Sequence, residues 1–176
     1  KSGRYFKYNE QYKWLAGVDN QTLFVDRNDN DSAVYTKLQW LAHYGLTAVR
    51  VWTECYWMFP NAYTPYSISG GKANLDSWDS TYWTKVKNYV QRARDLGIIV
   101  EIVLFSAYPA DRVGFQSWLK TTVYNKDNNS NGIYTKNRKG HFWPQFYILN
   151  TTESGKNLTT HQTALIDKYI AEVGNS

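Results

Sequence analysis

Along the chain, hydrophobic and polar positions first alternate and then change period. RYFKYNEQYKWLAGV (4–18) alternates with a break at Asn9-Glu10, which predicts an N-terminal hairpin over 1–13 and then a buried strand from Trp14 to Val18. NDNDS (28–32) reads as a turn with Asp31 and Ser32 as N-cap candidates. Val34, Leu38, Leu41 and Ala42 then recur at helical spacing, and Gly45 closes that helix. Thr47 to Trp52 follows as a short hydrophobic strand.

The pattern comes round again. NLDSWDS (74–80) offers caps, and Trp83, Val86, Val90 and Ala93 form the stripe of a second helix that Gly97 ends. IIVEIVLF (98–105) is a near-continuous apolar run, as in a parallel strand covered on both faces. A third helix is predicted from Thr160 to Val173, with Leu165, Tyr169 and Val173 on one side and Gly174 at its end. Strand, long loop, helix, glycine, strand is βα repetition, hence an α/β fold with parallel strands. The long stretches 53–75 and 106–159 follow strands, and ligands in such folds gather at the carboxyl ends of the strands. Only three buried strands are read, where an eight-stranded barrel needs roughly 250 residues. The 176 residues are therefore a three-stranded layer of another fold or the opening of a larger barrel.

Composition sharpens this picture. Aromatics make up 17% of the chain, with 15 Tyr and 8 Trp, and flat rings stack on sugars, bases and one another. The net charge of +5 admits nucleic acid as a partner, but the cations are scattered and form no run of four or more, which favours a solvated surface. A single cysteine, Cys55, excludes an intrachain disulfide. Five Asn-x-Ser/Thr sequons, at Asn20, Asn30, Asn128, Asn150 and Asn157, are glycosylation candidates and lean towards a secreted protein. No stretch approaches the ~20 apolar residues of a membrane span, and no leader segment is visible.

Candidate chemistry begins at Arg50, a cation inside the hydrophobic strand GLTAVRVWT. If Val49 and Val51 face the helices, Arg50 and Trp52 share the opposite side. There the guanidinium either orients a catalytic carboxylate or makes a structural ion pair, with Glu101 as partner. Glu101, early in its strand, reads as structural. Glu54, just past the second strand, is a candidate catalytic carboxylate or a solvated loop residue. Asp19 and Asp111 each follow a strand and are sugar-hydroxyl ligands or loop caps. Trp52, Tyr56, Trp57, Phe59, Tyr63 and Tyr66, and later Tyr108, Trp118, Phe142, Trp143, Phe146 and Tyr147, crowd stretches read as loops. Beside Asn, Gln and Ser they suit a carbohydrate, whose ring face is apolar and whose rim is hydroxyls. Bases would bring clustered Arg and Lys as well. Asp19, Trp52, Tyr56, Trp57, Ser106, Tyr108 and Trp143 are the candidate substrate contacts. His43, His141 and His161 have no metal-ligand spacing. SGGK (69–72) is no phosphate loop, lacking a strand before it and a helix directly after it, and no serine sits in a nucleophile elbow. No metal or cofactor is expected.

RYFKYNEQYKWLAGVDNQTLF, LAHYGLTAVRVWT, ARDLGIIVEIVLFSAYP and HQTALIDKYIAEVGN together resemble the N-terminal part of a cellulase-like (β/α)₈ glycoside hydrolase of clan A. The resemblance covers most of the chain and is weakest over 58–75 and 110–140. It implies a TIM-type barrel of which 14–176 are the first three βα units, and a retaining hydrolase of poly- or oligosaccharides with two glutamates ending the fourth and seventh strands. Arg50 matches the clan's arginine on the second strand, which orients the nucleophile. Three features depart from the pattern: Ser106 stands where a histidine often ends the third strand, Asn9-Glu10 replaces the common Asn-Gly turn, and both catalytic glutamates would lie beyond Ser176. Retention needs two carboxyls ~5–5.5 Å apart, and a Glu54–Asp111 pair is a poor substitute. The resemblance implies as partners a saccharide and the rest of the barrel, or another chain, along the open sheet edge. The alternative is a non-catalytic extracellular carbohydrate-binding or structural protein derived from such a barrel.

Overall fold

A computed structural model describes residues 6–8, 10–20, 30–53, 62–105, 122–133 and 158–174. Its centre is a three-stranded parallel sheet in the order β3-β4-β7 (Gly17–Asn20, Ala48–Trp52, Ile99–Val103). Helix α1 (Asp31–His43) connects β3 to β4, α2 (Ser80–Asp95) precedes β7, and α3 (Leu158–Val173) ends the described chain. Two antiparallel hairpins flank this layer: β1 (Phe6–Tyr8) with β2 (Gln11–Lys13), and β5 (Tyr66–Ser69) with β6 (Lys72–Trp78). This is α/β architecture with parallel strands, as the repetition predicted.

The helices form where cap and stripe coincide. Asn30, one residue earlier than the caps proposed at Asp31 and Ser32, accepts from the Ala33 N–H at 2.8 Å. Its backbone is extended, which the cap position requires. Asp79 caps α2 in the same way, accepting from the Tyr82 N–H at 2.7 Å. Both helices close identically. The N–H of Leu46 reaches back to the Leu41 carbonyl and that of Ile98 to the Ala93 carbonyl, over Gly45 at φ 74° and Gly97 at φ 71°. That closure needs a left-handed residue, which glycine supplies without strain. Val34, Leu38 and Leu41 of α1 and Tyr82, Trp83, Val86, Tyr89 and Ala93 of α2 are buried, with Val49 and Val51 of β4 beneath. Burying one such aliphatic side chain contributes about 1.5–3 kcal/mol. Charges fasten the helices to one another at the rim: Lys85 pairs with Asp31, Lys87 with Glu172, and the Arg92 guanidinium lies 5.1 Å from the Tyr35 ring centroid.

Several expectations need correction. The strand set at Trp14–Val18 is Gly17–Asn20, and it is not buried: Trp14 is 76% exposed and Val18 37%. β3 lies at the edge of the sheet and lacks cover on one side among the described residues. The run 98–105 is not sealed on both faces either, since Ile99 and Glu101 are exposed while Val100 and Ile102 are partly buried. The stretch 53–75 is not one long loop. Residues 66–78 form the β5–β6 hairpin, Gly70 and Gly71 making its two-residue turn at φ 56° and 73°, the pair of positive angles that such a tight turn demands. SGGK therefore does follow a strand, but it turns into another strand.

The β5–β6 hairpin is held from both sides. Residues 122–133 clip onto β6: the Ala73 N–H donates to the Asn128 carbonyl, the Ser130 N–H to the Ala73 carbonyl, and the Leu75 N–H to Asn131 Oδ1 at 2.8 Å. Buried Asn129 organises this segment, its amide donating to the carbonyls of Val123, Asn125 and Ile133. On the other side Trp78 of the hairpin meets Trp83 of α2 edge-on at 5.7 Å between ring centroids, and α3 docks on α2 in turn through aromatic rings. The Tyr82 and Tyr169 hydroxyls pair, Trp83 meets Tyr169 at 4.7 Å between centroids, and Trp78 stacks on Tyr66 at 5.2 Å.

Candidate functional site

The strand register sets a row of charge across the sheet. Asp19 of β3 pairs with Arg50 of β4, and Arg50 with Glu101 of β7. Residues paired across parallel strands point to the same face, so the three side chains stand side by side at ~4.8 Å intervals. Val49 and Val51, one step out of phase, are buried under the helices. Arg50 thus lies on the face away from the helices, with Trp52, as its phase predicted.

Arg50 Nη2 lies 3.1 Å from Glu101 Oε1, with the two side chains 47% and 61% exposed. The Glu101 hydrogen bond, then its charge, and more weakly the charge of Asp19 raise the guanidinium pKa above its ordinary value. The ion-pair alternative for Arg50 is thus the one seen, and on an exposed rather than an enclosed face. Two residues beyond Arg50 on β4, Trp52 donates its indole N–H to Asp19 Oδ1 at 2.9 Å. The order across the face is therefore Glu101, Arg50, Asp19, with Trp52 two residues further along the middle strand and reaching over to Asp19. Just beyond β4, buried Thr53 donates through its hydroxyl to the carbonyls of Val103 and Leu104 at 3.1 and 3.0 Å. That contact fixes the carboxyl end of β4 against that of β7.

The two carboxylates of the row stand on either side of the guanidinium. Their strands are two spacings apart, ~9.6 Å, against the ~5–5.5 Å of a retaining pair, with Glu101 bonded to Arg50 and Asp19 to Trp52. Glu54, Tyr56, Trp57, Ser106, Tyr108, Asp111 and Trp143 lie outside the described residues, as do Asn150 and Asn157. Of the remaining sequons, Asn30 is exposed as the α1 cap, Asn20 is partly buried on β3, and Asn128 donates its amide to the Thr122 carbonyl at 2.9 Å. Tyr66, expected in an aromatic loop, is a core residue 1% exposed, its hydroxyl 3.1 Å from that of Tyr124. Among the described residues no group of three or more His, Cys, Asp or Glu could hold a metal ion, and no helix is long and apolar enough to cross a membrane.

A second surface went unnoticed in the sequence. A cleft of ≈ 470 Å³ runs between β3 and α1, lined by Val18 and Asn20 on one side and Thr36, Lys37 and Trp40 on the other. Trp40 is 57% exposed and tilts against Tyr44 at 4.5 Å between ring centroids. The available signal was phase: Trp40 falls between Leu38 and Leu41, on the polar side of α1, where a large aromatic has no core to fill.

No family model, curated protein or solved structure matches the chain.

Proposed function

We propose that the chain is the opening portion of a carbohydrate-active β/α barrel protein, resembling a retaining glycoside hydrolase, whose uncovered sheet face receives a poly- or oligosaccharide. The observation that carries this is the indole of Trp52, anchored at the carboxyl end of β4 on Asp19, beside a row of charged groups suited to sugar hydroxyls. A ring face next to fixed hydrogen-bonding groups matches the two sides of a pyranose. The protein is secreted in this proposal, in keeping with its sequons. The exposed edge of β3, with the cleft and Trp40 beside it, supports a partner there, either the remainder of the barrel or another chain.

The 3.1 Å Arg50–Glu101 pair favours a second reading for this chain by itself, that of a non-catalytic saccharide-binding or structural module. Its guanidinium already has a carboxylate partner, and the carboxylates flanking it are too far apart for retention. Calorimetric titration with soluble β-linked gluco-, xylo- and manno-oligosaccharides tests binding. The purified chain should bind at least one series, and Trp52→Ala should abolish that binding. Hydrolysis of aryl glycosides by the chain separates enzyme from binding module. Absence of binding to all three series would end the saccharide proposal, and a stable 20.5 kDa monomer in solution would end the proposed edge partner.

A further inference from the structure

Asp19 looks at first like a sugar ligand, an acidic residue at the end of a strand. Its geometry gives it different work. Oδ1 already accepts the Trp52 indole N–H at 2.9 Å, and its cross-strand neighbour is Arg50. Trp52 itself is only partly buried, so packing alone leaves the indole room to turn about its side-chain torsions. An indole carries one hydrogen-bond donor. Once that donor is fixed, one edge of the ring is pinned and the orientation of its faces is set.

We infer that Asp19 is a positioning residue, holding the Trp52 indole as a preorganised platform for a pyranose ring. This rests on the saccharide proposal for the same face. The row supplies the reason for an acid here rather than any other acceptor. Glu101 engages Arg50 from one side, and Asp19 stands on the neighbouring strand on the other. A nearby cation favours a negatively charged acceptor at this position, and the carboxylate in turn fixes the indole. A free indole must be immobilised when the sugar arrives, and ordering one such side chain costs enough to weaken binding roughly three- to tenfold.

The test uses the full ¹⁵N-labelled chain and its eight tryptophan indole N–H resonances, with Trp52→Phe identifying the one that belongs to Trp52. In Asp19→Ala that resonance should move upfield while the other seven stay. Asp19→Asn keeps a carbonyl acceptor and should hold the resonance near its original place. Titration with the oligosaccharides named above should show Asp19→Ala binding roughly three- to tenfold more weakly and Asp19→Asn recovering most of the loss. An unmoved Trp52 resonance in Asp19→Ala would overturn the inference. So would a moved resonance with undiminished binding, which leaves the saccharide proposal standing. Failure of the unmodified chain to bind any of the oligosaccharides removes that proposal and this inference together.

Discussion

Gly17 opens β3 opposite Ala48, and the space for any larger residue is already taken. A Cβ at this position would lie 2.6 Å from the Ala48 carbonyl oxygen and 2.9 Å from both the carbonyl carbon and the Cβ of Ala48. Ordinary contact begins at 3.4 Å, so the shortfall is about 0.8 Å. Most of it is against backbone, which no rotamer change relieves. Gly17 is not among the glycines with positive φ, so the whole penalty of Gly17→Ala is steric. Either β3 moves away from β4, or the main-chain bonds from the Thr47 and Ala48 N–H groups to the Ala16 carbonyl, now 2.8 and 3.1 Å, lengthen. Overpacking of this kind costs about 1–3 kcal/mol, offset by ~0.4–1 kcal/mol from the stiffer unfolded chain. A net loss of about 1–2 kcal/mol follows. Urea unfolding followed by far-ultraviolet circular dichroism reads it directly: at a slope of ~2 kcal/mol per molar, the midpoint should fall by roughly 0.5–1 M. The displacement also separates Asp19 from Trp52, so the Trp52 indole resonance should shift. A variant as stable as the parent, or more stable, would show that β3 does not lie against Ala48 and would remove the basis for the charged row.

Three further outcomes are expected. Thr47→Val removes a hydroxyl that accepts from the Ala16 N–H at 3.1 Å and donates to the Trp14 carbonyl at 2.6 Å, and should cost about 1–2 kcal/mol in the same urea assay; no change would mean that this end of β3 is held by its ladder alone. Glu10 sits at φ 62° in the β1–β2 turn, a left-handed angle costly for a residue with a Cβ. Glu10→Gly should stabilise that hairpin by about 1 kcal/mol despite losing the exposed ion pair with Lys7, read as slower amide exchange in β1 and β2, and faster exchange would contradict it. Burial raises the phenol pKa values of Tyr89 and Tyr169 above the usual 10, with the Tyr82 hydrogen bond opposing this at Tyr169. The unfolded chain therefore releases these protons first, so stability is complete below pH ~10 and falls above it by up to ~2.7 kcal/mol per pH unit. Tyr89→Phe should halve that slope between pH 10 and 11.5, and an unchanged slope would refute the assignment.

The sequence made the helices and the strands β4 and β7 legible because several local signals agreed there. Over α2 a cap, a 3.6-residue stripe and a terminal glycine all point to the same boundaries. For β4 the phase of Val49 and Val51 against Arg50 and Trp52 placed the charged row on the correct face. Glu101 emerged as the ion-pair partner because it is the one acid inside the next strand. The β5–β6 hairpin was missed although its signal is strong: Gly70-Gly71 lies between two runs in which Ile68, Ala73 and Leu75 alternate with polar residues. Its Ser and Asn content read as loop, and the burial of Ala73 and Leu75 depends on residues 122–133, which no local window contains. The Trp52–Asp19 bond was equally out of reach, because it joins side chains 33 positions apart and follows from register. Edge exposure at Trp14 and Val18 is likewise a property of strand order.

The meeting of Tyr82 with Tyr169 has a consequence for biosynthesis. The two hydroxyls belong to residues 87 positions apart. A ribosome adding ~5–20 residues per second delivers the second tyrosine roughly 4–17 s after the first. For that interval Tyr82 and Trp83 emerge without the helix that covers them, a sticky surface presented to every other nascent chain nearby. Translation speed over the ninety or so codons that separate the two tyrosines, and the chaperones present while they are read, therefore bear on the yield of this protein as directly as does the stability of its finished core.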